Sequence, residues 1–234
     1  MRTQLTLALL LTTLGQTLAC QDASGPGFTP NLDIAVCQPA AGNLSSAITH
    51  PYFPMTVGRQ WVLEGDDQGQ AVILQITALP DTELVAGIYT RVLEERETVG
   101  GALLEVSRNF FVQTGDGTVC YYGEDVDIYD NGVIVSHDGA WRAGVSGALP
   151  GIFMPATPAV GQAFEQEVAP GIAQDRVTIK AVGETTVVPL GSYSNTVRFA
   201  ETTPLEPGAK STKVYASGVG PLVDDIVRLT SVTP

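Results

Sequence analysis

Histidine, cysteine and basic side chains are scarce in this chain of 234 residues, and each scarcity removes a class of function. Two histidines, His50 and His137, and three cysteines, Cys20, Cys37 and Cys120, are too few and too scattered for a zinc or copper centre built on imidazole and thiolate. Lysine and arginine total 12 against 25 aspartates and glutamates, a formal net charge of -13. That sign repels phosphate backbones and anionic headgroups, so neither nucleic acid nor electrostatic membrane adhesion is expected. No Gly-x-Ser-x-Gly elbow and no phosphate-cradling glycine loop is present, and the consecutive Ser136, His137 and Asp138 cannot converge as a triad. A helical stripe is missing as well: outside the N-terminus, no window of a dozen residues repeats its apolar positions at helical spacing.

The N-terminus is read separately from the rest. Residues 1–19 carry one positive charge at Arg2, an apolar run over Leu5–Leu14 and the small Ala19, the pattern of a secretory signal whose apolar core is too short to span a membrane as a helix. Thr17-Leu18-Ala19-Cys20 resembles the lipobox of bacterial lipoproteins, which implies that Cys20 is acylated after cleavage. Gln21 rather than aspartate follows, which by the same resemblance implies the outer membrane for a Gram-negative source. Residues 20–50, rich in Gly, Pro, Ser, Ala and Asn, are expected to form a flexible, lipidated tether. Cys37 and Cys120 are then left over in an oxidising compartment; a disulfide between them and two unpaired thiols both remain open.

From Pro51 onward the periodicity is two. Arg59–Leu63 and Ala71–Thr77 flank an acidic, glycine-containing turn, Tyr89–Glu94 and Leu103–Gln113 flank Gly100-Gly101, and Asp116-Gly117 turns the chain into Thr118–Tyr122. Landmarks then repeat: Gly58, Gly87 and Gly115 are followed by Gly161, Gly191 and Gly218 at offsets of 103, 104 and 103 residues. The spacing predicts one all-β domain over 51–234, with a first copy over 51–122, an insertion over 123–153 and a second copy over 154–229. Two antiparallel meanders of this size bury their apolar faces by closing into a barrel or a strongly curved sandwich.

Candidate sites cluster in and after the insertion. Tyr122, Glu124, Trp141 and Arg142, with Gln166, Glu167 and Asp175 around the Pro170-Gly171 turn, are the residues expected to line a small-molecule site at a barrel mouth. The competing reading has the aromatic residues, with Tyr121, Phe153 and Met154, completing the core. Were Glu124 and Glu167 to converge, the pair could do general acid and base work on a sugar. Asp125 and Asp127 alternate onto one strand face and supply hard oxygen ligands that suit calcium. Against that, Tyr129 stands where a calcium loop wants a third ligand, and the alternative is a solvated hairpin with Ile128, Val133 and Val135 on its buried side.

Residues 52–65, 121–125, 147–175 and 215–223 together resemble a family of secreted bacterial β-rich proteins and lipoproteins, and the opening Val57-Gly58…Trp61 with the closing Gly218-Val219-Gly220 resembles periplasmic half-barrel proteins of the lipoprotein-carrier type. The first carries no activity to transfer, and the second implies fold alone. The expectation that follows is an envelope protein held to the membrane by its lipid, acting as a non-catalytic module that binds a small molecule or another envelope protein. A carbohydrate-active hydrolase and a calcium-stabilised structural protein are the alternatives.

Overall fold

Two-residue turns set the register of the domain. In the computed structural model, which describes residues 28–234, the pairs Gln68-Gly69, Ala86-Gly87, Gly100-Gly101 and Asn131-Gly132 all have positive φ at both positions. That is the turn whose twist matches the right-handed twist of paired strands, so each forces a tight antiparallel hairpin. The signal peptide expected over 1–19 and the lipidated Cys20 lie outside the described residues.

The strands are β1 Gln60–Asp67, β2 Gln70–Val85, β3 Ile88–Val99, β4 Ala102–Gln113, β5 Val119–Asp130, β6 Val133–Ser136, β7 Trp141–Arg142, β8 Leu149–Met154, β9 Ala163–Glu165, β10 Glu167–Val168, β11 Arg176–Val188, β12 Gly191–Thr202, β13 Ser211–Ala216, β14 Gly220–Asp224 and β15 Val227–Thr233. Their order is β10-β8-β5-β4-β3-β2-β1-β15-β14-β13-β12-β11-β9, every pairing being antiparallel, and the sheet is nearly closed into a barrel as the sequence predicts. Closure happens in one short stretch. β9 pairs with β11, β10 pairs with β8, and the two are consecutive, separated by Gln166. The amides of Gln166 and Glu167 both donate to the Asp175 carbonyl, at 2.8 and 3.2 Å, so a bulge hands the chain from one edge of the sheet to the other. Gly151 makes the approach from β8 feasible, since a Cβ there would stand 2.2 Å from the Gln166 carbonyl oxygen.

Both halves open alike. Gly58 N–H donates to Ala78 and Ala78 N–H returns to Arg59, at 2.8 and 2.9 Å; Gly161 and Ile179 make the same exchange with Gln162, both at 2.9 Å. Trp61 and Phe164, which follow, are each fully buried. The expected insertion is not separate: its boundary at Gly123 falls inside β5, and its last residues form β8, so 123–153 is part of the barrel wall. The hairpin expectation for Val133 and Val135 is also corrected. They are 64% and 60% exposed, because β6 pairs only with the end of β5, where no second layer covers it.

The tether expectation fails from residue 28 onward. Asn31 N–H donates to Ala163, Ser45 and Gln113 exchange backbone bonds, and Cys37 is joined to Cys120 by a disulfide with a Cα–Cα distance of 5.5 Å. These anchors carry the segment from the closure strand across to β5 and β4. It then turns beneath the barrel, where His50 is buried, Pro51 accepts from Gly218 and the Tyr52 hydroxyl donates to Asn195 at 2.9 Å. Phe53 follows into a ring cluster, 4.5 Å from Phe153 and 5.3 Å from Phe111, with Tyr121 and Tyr215 on the same cluster. One end of the barrel therefore has an aromatic floor. The aromatic group near the insertion completes the core here, as one of its two expected readings holds.

Candidate functional site

Above that floor the inward positions turn from apolar to acidic. Strand alternation puts Leu93, Glu95 and Glu97 of β3 on one face, and the register sets them opposite Asn109, Ser107 and Glu105 of β4. Asn109 in turn faces Glu124 of β5. From the other side of the barrel come Glu201 above Phe199 on β12, Lys213 above Tyr215 on β13, Asp224 of β14, and Glu167 and Asp175 at the closure. The opposite face of β3–β5 is charged too, but balanced: Arg108 bridges Glu94 and Asp127, at 3.2 and 3.5 Å, and Arg142 bridges Glu83 and Asp125, at 2.7 and 2.6 Å.

Inside, acid predominates. Lys213 lies 3.5 Å from both Glu201 and Asp224, and Ser211 donates to Glu201 at 3.0 Å. Lys213 and Asp224 keep 24% and 25% of their side-chain surface exposed, so solvent reaches this part of the group. Burial raises the carboxyls, and their mutual repulsion adds to it: Glu95 and Glu105 are pushed up to about 7 and Glu124 to about 8. Glu167 is raised well above its ordinary value by burial and then by Asp175 and Glu124, while Asp175, Glu97 and Glu201 are raised chiefly by burial. Lys213 is held protonated, because Asp224 and Glu201 outweigh the burial that opposes its charge. Tyr121 donates to Asn109, and its phenol is raised well above normal by burial, then by Glu124 and Glu167.

Of the residues expected to line a site, Glu124, Glu167 and Asp175 are brought together in this lumen. Gln166 is buried at the closure with its Oε1 unpartnered. The others go elsewhere. Tyr122 alternates away from Tyr121 and donates to the Cys37 carbonyl at 2.6 Å, and Arg142 is held outside by Glu83 and Asp125 with its guanidinium 4.7 Å from the Phe110 ring centre. Trp141 packs edge-on against Tyr121 at 5.4 Å, beside a cavity of about 90 Å³ shared with Val145, Ala169 and Ile172. Its indole nitrogen is buried without a partner, and no carboxylate lines that cavity.

Asp125 and Asp127 do share a face, yet their oxygens are taken by Arg142, Arg108 and His137, the last at 3.0 Å from Asp127. Among the described residues, no group of three or more His, Cys, Asp or Glu side chains is arranged to hold a metal ion. Sequence reasoning missed Glu95, Glu97, Glu105, Glu201, Lys213 and Asp224. The charged run Glu94-Glu95-Arg96-Glu97 offers no apolar side from which an inward face can be read, so no local signal singles these residues out. Comparison with family models, with curated proteins and with solved structures found no match.

Proposed function

We propose that the chain is an exported, lipid-anchored envelope protein whose barrel binds a small molecule in its acidic lumen without catalysis. The observation that carries this reading is the group of inward-facing carboxyls gathered with Lys213 above the aromatic floor, with Lys213 and Asp224 partly exposed. Burial, with neighbouring acids adding to it, raises these carboxyls, and titratable groups shifted in this way cluster at functional clefts. Export is supported by the signal over 1–19, the lipobox at Cys20 and a disulfide of the kind that persists outside the cytosol. Native mass spectrometry after gentle purification tests the reading. A bound small molecule in the unaltered chain that is absent from Glu167→Gln supports it; a bare wild-type chain, or retention unchanged in the variant, overturns it.

A second reading is favoured by one specific feature, the mutual electrostatic influence of Glu124 and Glu167. Both are raised, and loss of one proton from the pair would leave the protonated acid beside the ionised partner that a glycosidase needs. Incubation with a panel of aryl glycosides decides it: hydrolysis abolished in both Glu124→Gln and Glu167→Gln supports the hydrolase, and no turnover by the wild type removes it.

A further inference from the structure

At Asp116-Gly117, Asn131-Gly132 and Asp138-Gly139 an acidic or amide side chain directly precedes a glycine. In such a pair the glycine nitrogen can attack the side-chain carbonyl carbon, because the following residue has no side chain to obstruct it. The fold treats the three differently. Gly117 N–H donates to the Thr114 carbonyl at 3.0 Å, and the Asp116 carboxylate accepts from the Thr118 amide at 3.0 Å and from the Thr114 hydroxyl, so both reacting groups are tied down. Asp138 offers a carboxylate, whose charge repels a nucleophile and whose oxygen leaves poorly. Asn131 offers a neutral carboxamide, with one hydrogen bond from its Nδ2 to the Asp130 carboxylate at 3.1 Å. The Gly132 N–H makes no hydrogen bond among the described residues, both residues are exposed, and a Cβ placed on Gly132 would meet nothing within 4 Å.

Bringing the Gly132 nitrogen to the Asn131 Cγ requires rotation about the Asn131 Cα–C bond, which opens the turn. Little opposes that. β6 pairs only with Ile128, Tyr129 and Asp130, its register shifts between the first two, and Val133, Ile134 and Val135 are all exposed. A short edge strand with so few buried apolar contacts opens locally at low cost. We propose that Asn131 is a site of spontaneous deamidation, driven by attack of the Gly132 nitrogen on its carboxamide. The bond from Gly132 N to Asn131 Cγ forms, the Cγ–Nδ2 bond breaks, and Nδ2 leaves as ammonia with the proton of the Gly132 amide. Water then opens the cyclic imide. Cleavage at Cγ gives aspartate; cleavage at the main-chain carbonyl of residue 131 gives isoaspartate, with the chain routed through Cβ. Either product adds a negative charge. Isoaspartate also adds one main-chain atom to a two-residue turn whose geometry sets the β5–β6 register, so β6 comes away while β4 and β5 stay paired.

The test ages the folded mature chain in mildly alkaline buffer, then digests it and maps the peptides by mass spectrometry with electron-based fragmentation, which distinguishes isoaspartate from aspartate. A gain of one mass unit is expected in the peptide holding residue 131, with isoaspartate among the products. Asn31, Asn43, Asn109 and Asn195, each followed by a residue with a side chain, keep their mass over the same period. In the aged chain the amides of β6 lose exchange protection and those of β4 keep theirs. Asn131→Gln has to close a six-membered ring, and is expected to slow the gain at this position at least about tenfold. Its melting temperature confirms that the exposed turn tolerates the change. A synthetic peptide spanning Tyr129–Ile134 runs alongside as the unfolded reference. Conversion of that peptide while residue 131 of the folded chain keeps its mass overturns the proposal, since the turn then protects the pair. Gain at the other asparagines as fast as at Asn131, or a rate unchanged in Asn131→Gln, overturns it as well.

Discussion

At the scale of the residue, the balance is between satisfaction and repulsion, and single substitutions separate the two. On the outer face of β3–β5 each acid found a base; inside, Glu124 and Glu167 face each other and Asp175. Glu167→Gln is therefore expected to raise the melting temperature at about pH 8, a gain of roughly 1–2 kcal/mol of the size seen when a site is relieved of functional strain. Thermal unfolding of variant and wild type side by side checks this, and a lower melting temperature would show the carboxylate to be structural. Gly151→Ala has the opposite sign. Its Cβ would meet the Gln166 carbonyl at 2.2 Å, backbone against backbone, so β8 must leave the closure strand. A loss of about 2–3 kcal/mol by denaturant titration is expected, at the upper end of overpacking costs. Glu124, Glu167 and Asp175 were legible in the sequence because they flank turns and an aromatic group. Glu95 and Glu97 were not: Glu94, Glu95, Arg96 and Glu97 are charged on both faces of β3, and alternation without an apolar side cannot say which face is inside.

At the scale of the element, the hairpins were readable and the N-terminal segment was not. Asp116-Gly117 and Gly100-Gly101 mark turns by their own chemistry, so β3, β4 and β5 follow from local sequence. The segment 28–50 looks like a linker in composition, and only distant partners order it: Ala163, Cys120 and Gln113. Local pattern carries no trace of such contacts. β11 shows a milder case, one long strand whose register shifts on either side of Gly183. The disulfide closes a loop of 83 residues, so replacing both cysteines by alanine is expected to cost about 3–5 kcal/mol on the loop-entropy argument. Hydrogen exchange should localise the effect, with amides of 28–50 losing protection while β2 and β3 keep theirs. Uniform loss across the barrel would mean instead that the segment is part of the cooperative core.

For the whole molecule, the lumen dictates how stability follows pH. A carboxyl whose value is raised on folding binds its proton more tightly in the native state, so its contribution is fully present below the unfolded value of 4.5 and is lost as pH rises through the folded value. With Glu95 and Glu105 at about 7 and Glu124 at about 8, the loss falls between pH 4.5 and about 8. His50 works against this on the acid side. Its Nδ1 accepts from the Tyr52 amide and its Nε2 donates to the Pro155 carbonyl, and burial lowers it below 6.5, so charging it as pH falls through that value costs stability. The carboxyls outnumber it and carry the larger shifts, so the net slope is set by them. Melting temperature is accordingly expected to fall by roughly 5–10 °C between about pH 5.5 and pH 8, equivalent to a few kcal/mol at this chain length. Glu124→Gln and Glu167→Gln together should flatten that slope, whereas His50→Phe should steepen it at the acid end. A stability that instead rises toward pH 8 would mean that the inward acids are ionised and paired at neutrality, which removes the raised carboxyls on which the small-molecule site is argued.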